Sequence, residues 1–252
     1  MDVRARFEEE LERRGVLFSI DPDSLRHVIK VGGRRSLVWL ENLQRDVAGD
    51  GDIGRIARFV DAVLDSLAES DSSLSADRLF WSLEPNDYVE GAEFRVALSD
   101  RADRTLVSVS ADKRLITWVT RGMLDALGLD EVAAAEKAFM NQARALQEAE
   151  IRIKEIDGVG LGLIGSAVPF KAALLLAPNL REVFGTKLGW PLLAVVPDRD
   201  FIYLWAAEHS DFVRRVGGVV VREYLSASYR ISTEVYEVSD EGIRAIGEFP
   251  AK

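Results

Sequence analysis

The segment WPLLAVVPDRDFIYLWA, residues 190–206, decides the fold. Residues 190–196 and 201–206 are apolar runs of strand length, and Pro197-Asp198-Arg199-Asp200 between them is turn chemistry. Two strands joined by so short a link pair antiparallel, because a parallel partner needs a crossover of roughly a dozen residues. Upstream, 151–156 alternates apolar and charged residues, 161–164 and 172–176 are apolar runs of strand length, and 179–188 has helical spacing. Downstream, Ser210 or Asp211 is placed to cap a helix running to about Ser226, and 229–238 with 243–249 read as closing strands. Strands and helices mix without the regular βαβ alternation of a doubly wound parallel sheet, so the class is α+β.

The same reading extends to the rest of the chain. Residues 79–83, 94–98, 105–110 and 115–119 are strand candidates separated by Asp- and Ser-rich turns, an antiparallel meander. Thr120 is placed to cap a helix that stops at Gly128, and Asp130 a long one reaching Glu150. Nearer the start, Val3, Phe7 and Leu11 predict an amphipathic helix ending near Gly15. Strands over 16–20, 25–31 and 35–39 follow, turning at Asp21-Pro22-Asp23 and at Gly32-Gly33, and then helices over 40–47 and 53–67. The stretch 68–76, with Ser70, Asp71, Ser72, Ser73 and Ser75, is the most polar and least periodic. It divides a small helix-plus-meander lobe, 1–69, from a larger lobe of mixed, mainly antiparallel sheet with helices, 77–252.

Composition narrows the chemistry. With no cysteine among 252 residues there is no disulfide, thiolate nucleophile or cysteine-held metal, and two histidines cannot form a three-histidine site. A net charge of -10 repels phosphate backbones and anionic lipid surfaces, so no nucleic-acid partner is expected. Arg13, Arg14, Arg34 and Arg35 stand among acids and read as solvated surface. Residues 1–14 alternate charges and lack the apolar core of a secretory leader, so a cytoplasmic location is expected. Residues 159–178 nearly suffice in length to span a bilayer, but Lys171, Pro169 and three glycines argue for buried β structure, and no membrane span is expected.

Three places resemble the YtpQ-like family of uncharacterised bacterial proteins. They are Ser36-Leu37-Val38-Trp39-Leu40-Glu41-Asn42-Leu43 leading into Ile56-Ala57-Arg58-Phe59-Val60; Ile116-Thr117 to Leu129-Asp130-Glu131 with the long helix after it; and Ala173-Leu174-Leu175-Leu176, a short helix, then Ala194-Val195-Val196-Pro197-Asp198-Arg199-Asp200. Family members resemble one another in a small polar residue around Ala173, where this chain has only Lys171 nearby, so serine chemistry is not implied there. The resemblance implies no activity.

Among candidate sites, Gly160-Leu161-Gly162-Leu163-Ile164-Gly165 fits the G-x-G-x-x-G of a dinucleotide-binding turn and follows a predicted strand. Pro169 would interrupt the helix such a turn must open, and Glu182 falls inside a predicted helix. Gly160, Gly162 and Gly165 are therefore expected in a glycine-rich strand or hairpin, and no cofactor is expected. Asp198, Asp200, Glu208 and His209, with Arg199 and Asp211, form the densest ionisable set, able in principle to position water or hold a divalent cation. Yet Pro-Asp-Arg-Asp is also turn chemistry, and the intervening strand holds the two halves roughly 20 Å apart. His27, with no second histidine near, reads as a surface or capped core residue. Trp39, Trp81, Trp118, Trp190 and Trp205 fall in or beside strand candidates, where core filling competes with interface anchoring; Trp190, Trp205 and Tyr203 are the anchors expected.

No G-x-S-x-G elbow, phosphate loop, H-E-x-x-H helix or EF-hand loop occurs. The expectation is a non-enzymatic protein-binding module, of adaptor, chaperone or immunity-like kind, whose partner is another protein. The alternative is a hydrolase or metal-dependent enzyme using Asp198, Asp200, Glu208 and His209.

Overall fold

The computed structural model describes residues 2–21, 26–32, 34–38, 40–68, 74–87, 92–110, 116–166, 168–227 and 229–251. Pro22, Asp23, Gly33, Trp39, Leu115 and the serines of 70–73, all invoked above, lie outside them. The fold is α+β, with three antiparallel sheets in two compact units, Met1–Ser73 and Leu74–Lys252.

In the first unit, α1 (Val3–Arg13) starts where the Asp2 side chain accepts a hydrogen bond from the Ala5 N–H. Val3, Phe7 and Leu11 recur every fourth residue, so one helical stripe carries the buried face. A meander of β1 (Leu17–Ile20), β2 (His27–Val31) and β3 (Arg34–Val38) follows. Helices α2 (Glu41–Asp50) and α3 (Gly54–Ala68) complete the unit, with Ile56, Val60, Val63 and Leu67 in the same core as Phe7, Leu11 and Ile29. His27 is a capped core residue: it is buried, its Nε2 lies 2.8 Å from Glu8 Oε1, and the Phe7 ring meets it edge-on. Arg13 and Arg14 both bind Glu10, and Arg14 also binds Asp61, so acids meet both guanidinium groups.

The second unit contains two sheets. In the smaller, β6 (Ala102–Val109) pairs with β4 (Leu79–Pro85) along one edge, while β5 (Arg95–Ala97) and β7 (Ile116–Trp118) share the other in tandem. Thr120 and Asp130 cap α4 (Arg121–Leu127) and α5 (Glu131–Gln147) through side-chain bonds to Met123 N and Ala133 N. The larger sheet holds β8 (Glu150–Ile156), β9 (Val159–Gly165), β10 (Leu192–Asp198), β11 (Phe201–Ala206), β12 (Glu234–Ser239) and β13 (Gly242–Glu248), in the order β13-β12-β10-β11-β9-β8. The expected β10–β11 hairpin lies at its centre, Leu192 opposite Ala206 and Asp198 opposite Phe201.

The central strand β10 is apolar from Leu192 to Pro197 because both its faces are covered. Leu192, Ala194 and Val196 join the core that includes α6 (Leu180–Leu188), while Leu193 and Val195 join a second core with α7 (Val213–Ser226).

Several elements differ from expectation. Residues 172–176 are not a strand but a buried 3-10 turn, Lys171–Leu176. Periodicity cannot separate a short, wholly buried helical turn from a buried strand, and Ala-Ala-Leu-Leu-Leu lacks β-branched residues. Helix α7 starts without a side-chain cap after a 3-10 turn, Ala207–Phe212, because Asp211 pairs with Arg215 at 2.8 Å instead. Helix α5 ends at Gln147, so Glu150 opens β8. The last pair of strands starts at Glu234, since Tyr229–Ser232 backbone atoms are bonded irregularly to the end of β10 and its turn. Among the described residues no helix is long and apolar enough to cross a membrane.

Candidate functional site

The expected acidic set is not brought together. Asp198 ends β10, half-buried, its Oδ1 accepting the Asp200 N–H at 2.7 Å, and burial pushes its carboxyl above the ordinary range. Glu208 and His209 lie beyond Ala206 at the opposite end of β11, 3.7 Å from each other. Six strand residues at about 3.3 Å each leave roughly 20 Å between the halves. Among the described residues no group of three or more His, Asp or Glu is placed to hold a metal ion.

Gly160, Gly162 and Gly165 lie within β9, each opposite a β8 residue. A methyl group at Gly162 would come 2.9 Å from Leu188 Cδ1 and 3.0 Å from Phe184 Cε1, so this glycine lets α6 lie close on the sheet. No helix opens from the glycines; a 3-10 turn at Lys171 comes next.

Of the expected aromatic anchors, Trp205 needs correcting. Trp205 is wholly buried against Phe212, in the core that the sheet shares with α7. Tyr203 is half-buried beside Phe201, and Trp190 is tied through Nε1 to Asp240 at 3.0 Å. Trp81 is also core.

Two buried polar clusters escaped sequence reading. One Glu234 carboxyl oxygen accepts hydroxyl hydrogens from Ser99 at 2.6 Å, Tyr236 at 2.7 Å and Ser232 at 3.0 Å, clasping the β5–β6 turn to β12. Burial raises the Tyr236 phenol well above its usual range. Ser82 donates to Glu84 at 2.7 Å in the other, where burial raises the Glu84 carboxyl against the opposing pull of the Arg199 charge. The Glu234 hydroxyls and the Ser82–Glu84 pair are turned on one another inside the fold, an arrangement that holds strands in place.

One concave feature is a cleft of about 370 Å³ between the start of β4, helix α5 and the end of β6. Helix α5 builds it. Asn141 Nδ2 donates to the carbonyls of Ala76 and Leu79 at 2.9 and 2.8 Å, and Gln142 Nε2 to those of Trp81 and Ala173 at 3.1 and 2.6 Å. Leu79 and Trp81 thus have carbonyls satisfied by helix-borne amides rather than by another strand. Phe80, Val109, Ala145 and Val168 supply apolar lining, and Ser110 and Ser166 hydroxyls stand beside them. The charged lining is balanced: Arg78 and Arg144 against Asp77 and Glu148. None of these four side chains enters an ion pair among the described residues. Arg78 and Asn141 lie more than sixty positions apart in the chain, so no local spacing announces the cleft.

Compared with family models, with curated proteins and with solved structures, the chain matches none.

Proposed function

We propose that this chain acts by non-covalent binding and that the α5 cleft of the second unit is its recognition site. The observation that carries this reading is the cleft itself: a concavity within the usual size range of small-molecule sites, apolar on one side, with four charged groups uncommitted to one another. The dispersed Asp198, Asp200, Glu208 and His209 give a hydrolase or metal-dependent reading no common site. Protein-detected NMR with a fragment library tests the proposal. Shifts should cluster on Phe80, Asn141 and Ser166, and a library that perturbs only sites away from them rejects it.

A second reading keeps the expected protein partner. Strand β8 is the outer strand of the six-stranded sheet, and Ile153 and Ile156 on it are each 41% exposed. A partner strand added there would pair with its free backbone edge. Membership of the YtpQ-like family and a cytoplasmic location belong with this reading, and neither adds an activity to it.

A further inference from the structure

We infer that the outer edge of β8 pairs with the same edge of a second copy of this chain, about a two-fold axis at Arg152, an inference that rests on β8 being a docking strand. Strands β8 and β13 end the six-stranded sheet, and each offers one unpaired side. They are not equivalent. The pairing of β13 with β12 slips between Val235 and Tyr236, leaving Ile246 as an extra residue, and such a bulge turns an edge away from new partners. Strand β8 matches β9 residue for residue, from Glu150 opposite Gly165 to Ile156 opposite Val159, so its free edge is regular. Charges on an edge ordinarily guard it against pairing, and β8 carries Glu150, Arg152, Lys154 and Glu155. The order of those charges is what makes a second copy fit.

Antiparallel strands related by a two-fold axis set opposite residues on the same face of the joined sheet. With Arg152 on the axis, Ile151 lies opposite the second copy's Ile153, and Glu150 opposite its Lys154. Two separate features favour this register. On one face Ile153 is exposed, and a methyl group on Gly160 would touch both its Cγ2 and Leu188 of α6, which places Ile153 on the α6 side. Ile151 lines a groove of about 290 Å³ on that same side, with Leu146, Ala149 and Val183 as its other apolar walls. Opposite Ile151, the second copy's Ile153 brings its side chain to this groove. On the other face, Lys154 has no acid partner among the described residues, and the pairing gives it Glu150 at both ends. The two Arg152 side chains meet at the axis, each already clasped by its own Glu150 through two bonds of 2.8 Å. An axis at Ile153 would instead set Arg152 against Lys154 and Ile151 against Glu155, and an axis at Ile151 would leave only residues 150–152 paired.

Sedimentation velocity of the full chain tests this. At about 100 μM the mass should reach twice that of one chain, and it should fall toward that of one chain on dilution. Lys154→Glu sets carboxylate against carboxylate at both contacts, and Glu150→Lys sets ammonium against ammonium, so each should weaken the dimer about tenfold or more. Combined, the two substitutions exchange the charges and should restore the parent affinity to within about threefold, a recovery that damage to the fold would not give. Both side chains are exposed. Ile153→Thr should weaken the dimer as well, whereas Ile156→Thr, equally exposed but outside residues 150–154, should leave it unchanged. A dimer that Lys154→Glu leaves intact, or a double variant without recovery, overturns the inference. So does a chain that stays monomeric up to about 1 mM. In that case hydrogen exchange separates the two levels: β8 amides that slow only when a cell extract is added keep β8 as a docking strand for a different chain, and β8 amides that stay fast throughout remove that reading too.

Discussion

Glu84 carries a carboxyl with almost no contact with water, and its chemistry shows in how stability depends on pH. Burial raises its folded-state pKa above the ordinary glutamate value, with Arg199 and the Ser82 hydroxyl pulling the other way. Between the ordinary and the raised value, the folded chain holds a proton that the unfolded chain has released. Stability from this residue is therefore fully present below the ordinary value and declines as pH rises through the raised one. Glu84→Gln keeps an oxygen for Ser82 and cannot ionise. Urea denaturation should find the variant more stable than the parent at neutral and alkaline pH, with the two curves converging at acid pH. Parallel curves across the range would mean that burial of Glu84 is offset by its neighbours.

Among the elements, β9 and α6 offer a sharp comparison. Phe184 is fully buried, so its ring cannot move aside cheaply for a methyl group at Gly162, whereas a methyl at Gly165 meets Glu150 only at the ordinary distance of 3.5 Å. Gly162→Ala should cost about 1–3 kcal/mol, and Gly165→Ala should stay within about 0.5 kcal/mol of the parent, both measured by equilibrium unfolding. Equal costs would remove close helix–sheet approach as the reason for Gly162. The glycine pattern was legible in the sequence, but its cause was not: a G-x-G-x-x-G string does not reveal which neighbour it makes room for. Thr120 and Asp130 were legible as caps because each lies directly before an apolar-periodic run and bonds locally. Residues 172–176 were misread because a buried Ala/Leu run carries no periodicity, while Val195, Val196 and a hairpin turn identified β10.

Across the molecule, each unit has its own apolar core, and the turn chemistry between strands made the antiparallel class readable. The cleft was not readable, since Arg78, Asn141 and Ser166 meet only when α5 packs against β4. Trp205 shows the converse: its residue type suggests an interface, and only the two covered faces of the sheet put it inside. With separate cores, residues 74–252 expressed alone should unfold in one cooperative transition by circular dichroism and give dispersed amide resonances. A broad transition with strong binding of a hydrophobic dye would show that the second unit depends on the first.

Strand order also has a consequence for synthesis. Strand β10 ends at Asp198, but β12, the neighbour that completes its second edge, begins only at Glu234. At about 5–20 residues per second, a ribosome leaves that apolar edge open for a few seconds after its hairpin has emerged. During that interval the most buried strand of the finished molecule is its most adhesive segment, so slowing translation between these two points should lower the yield of native protein.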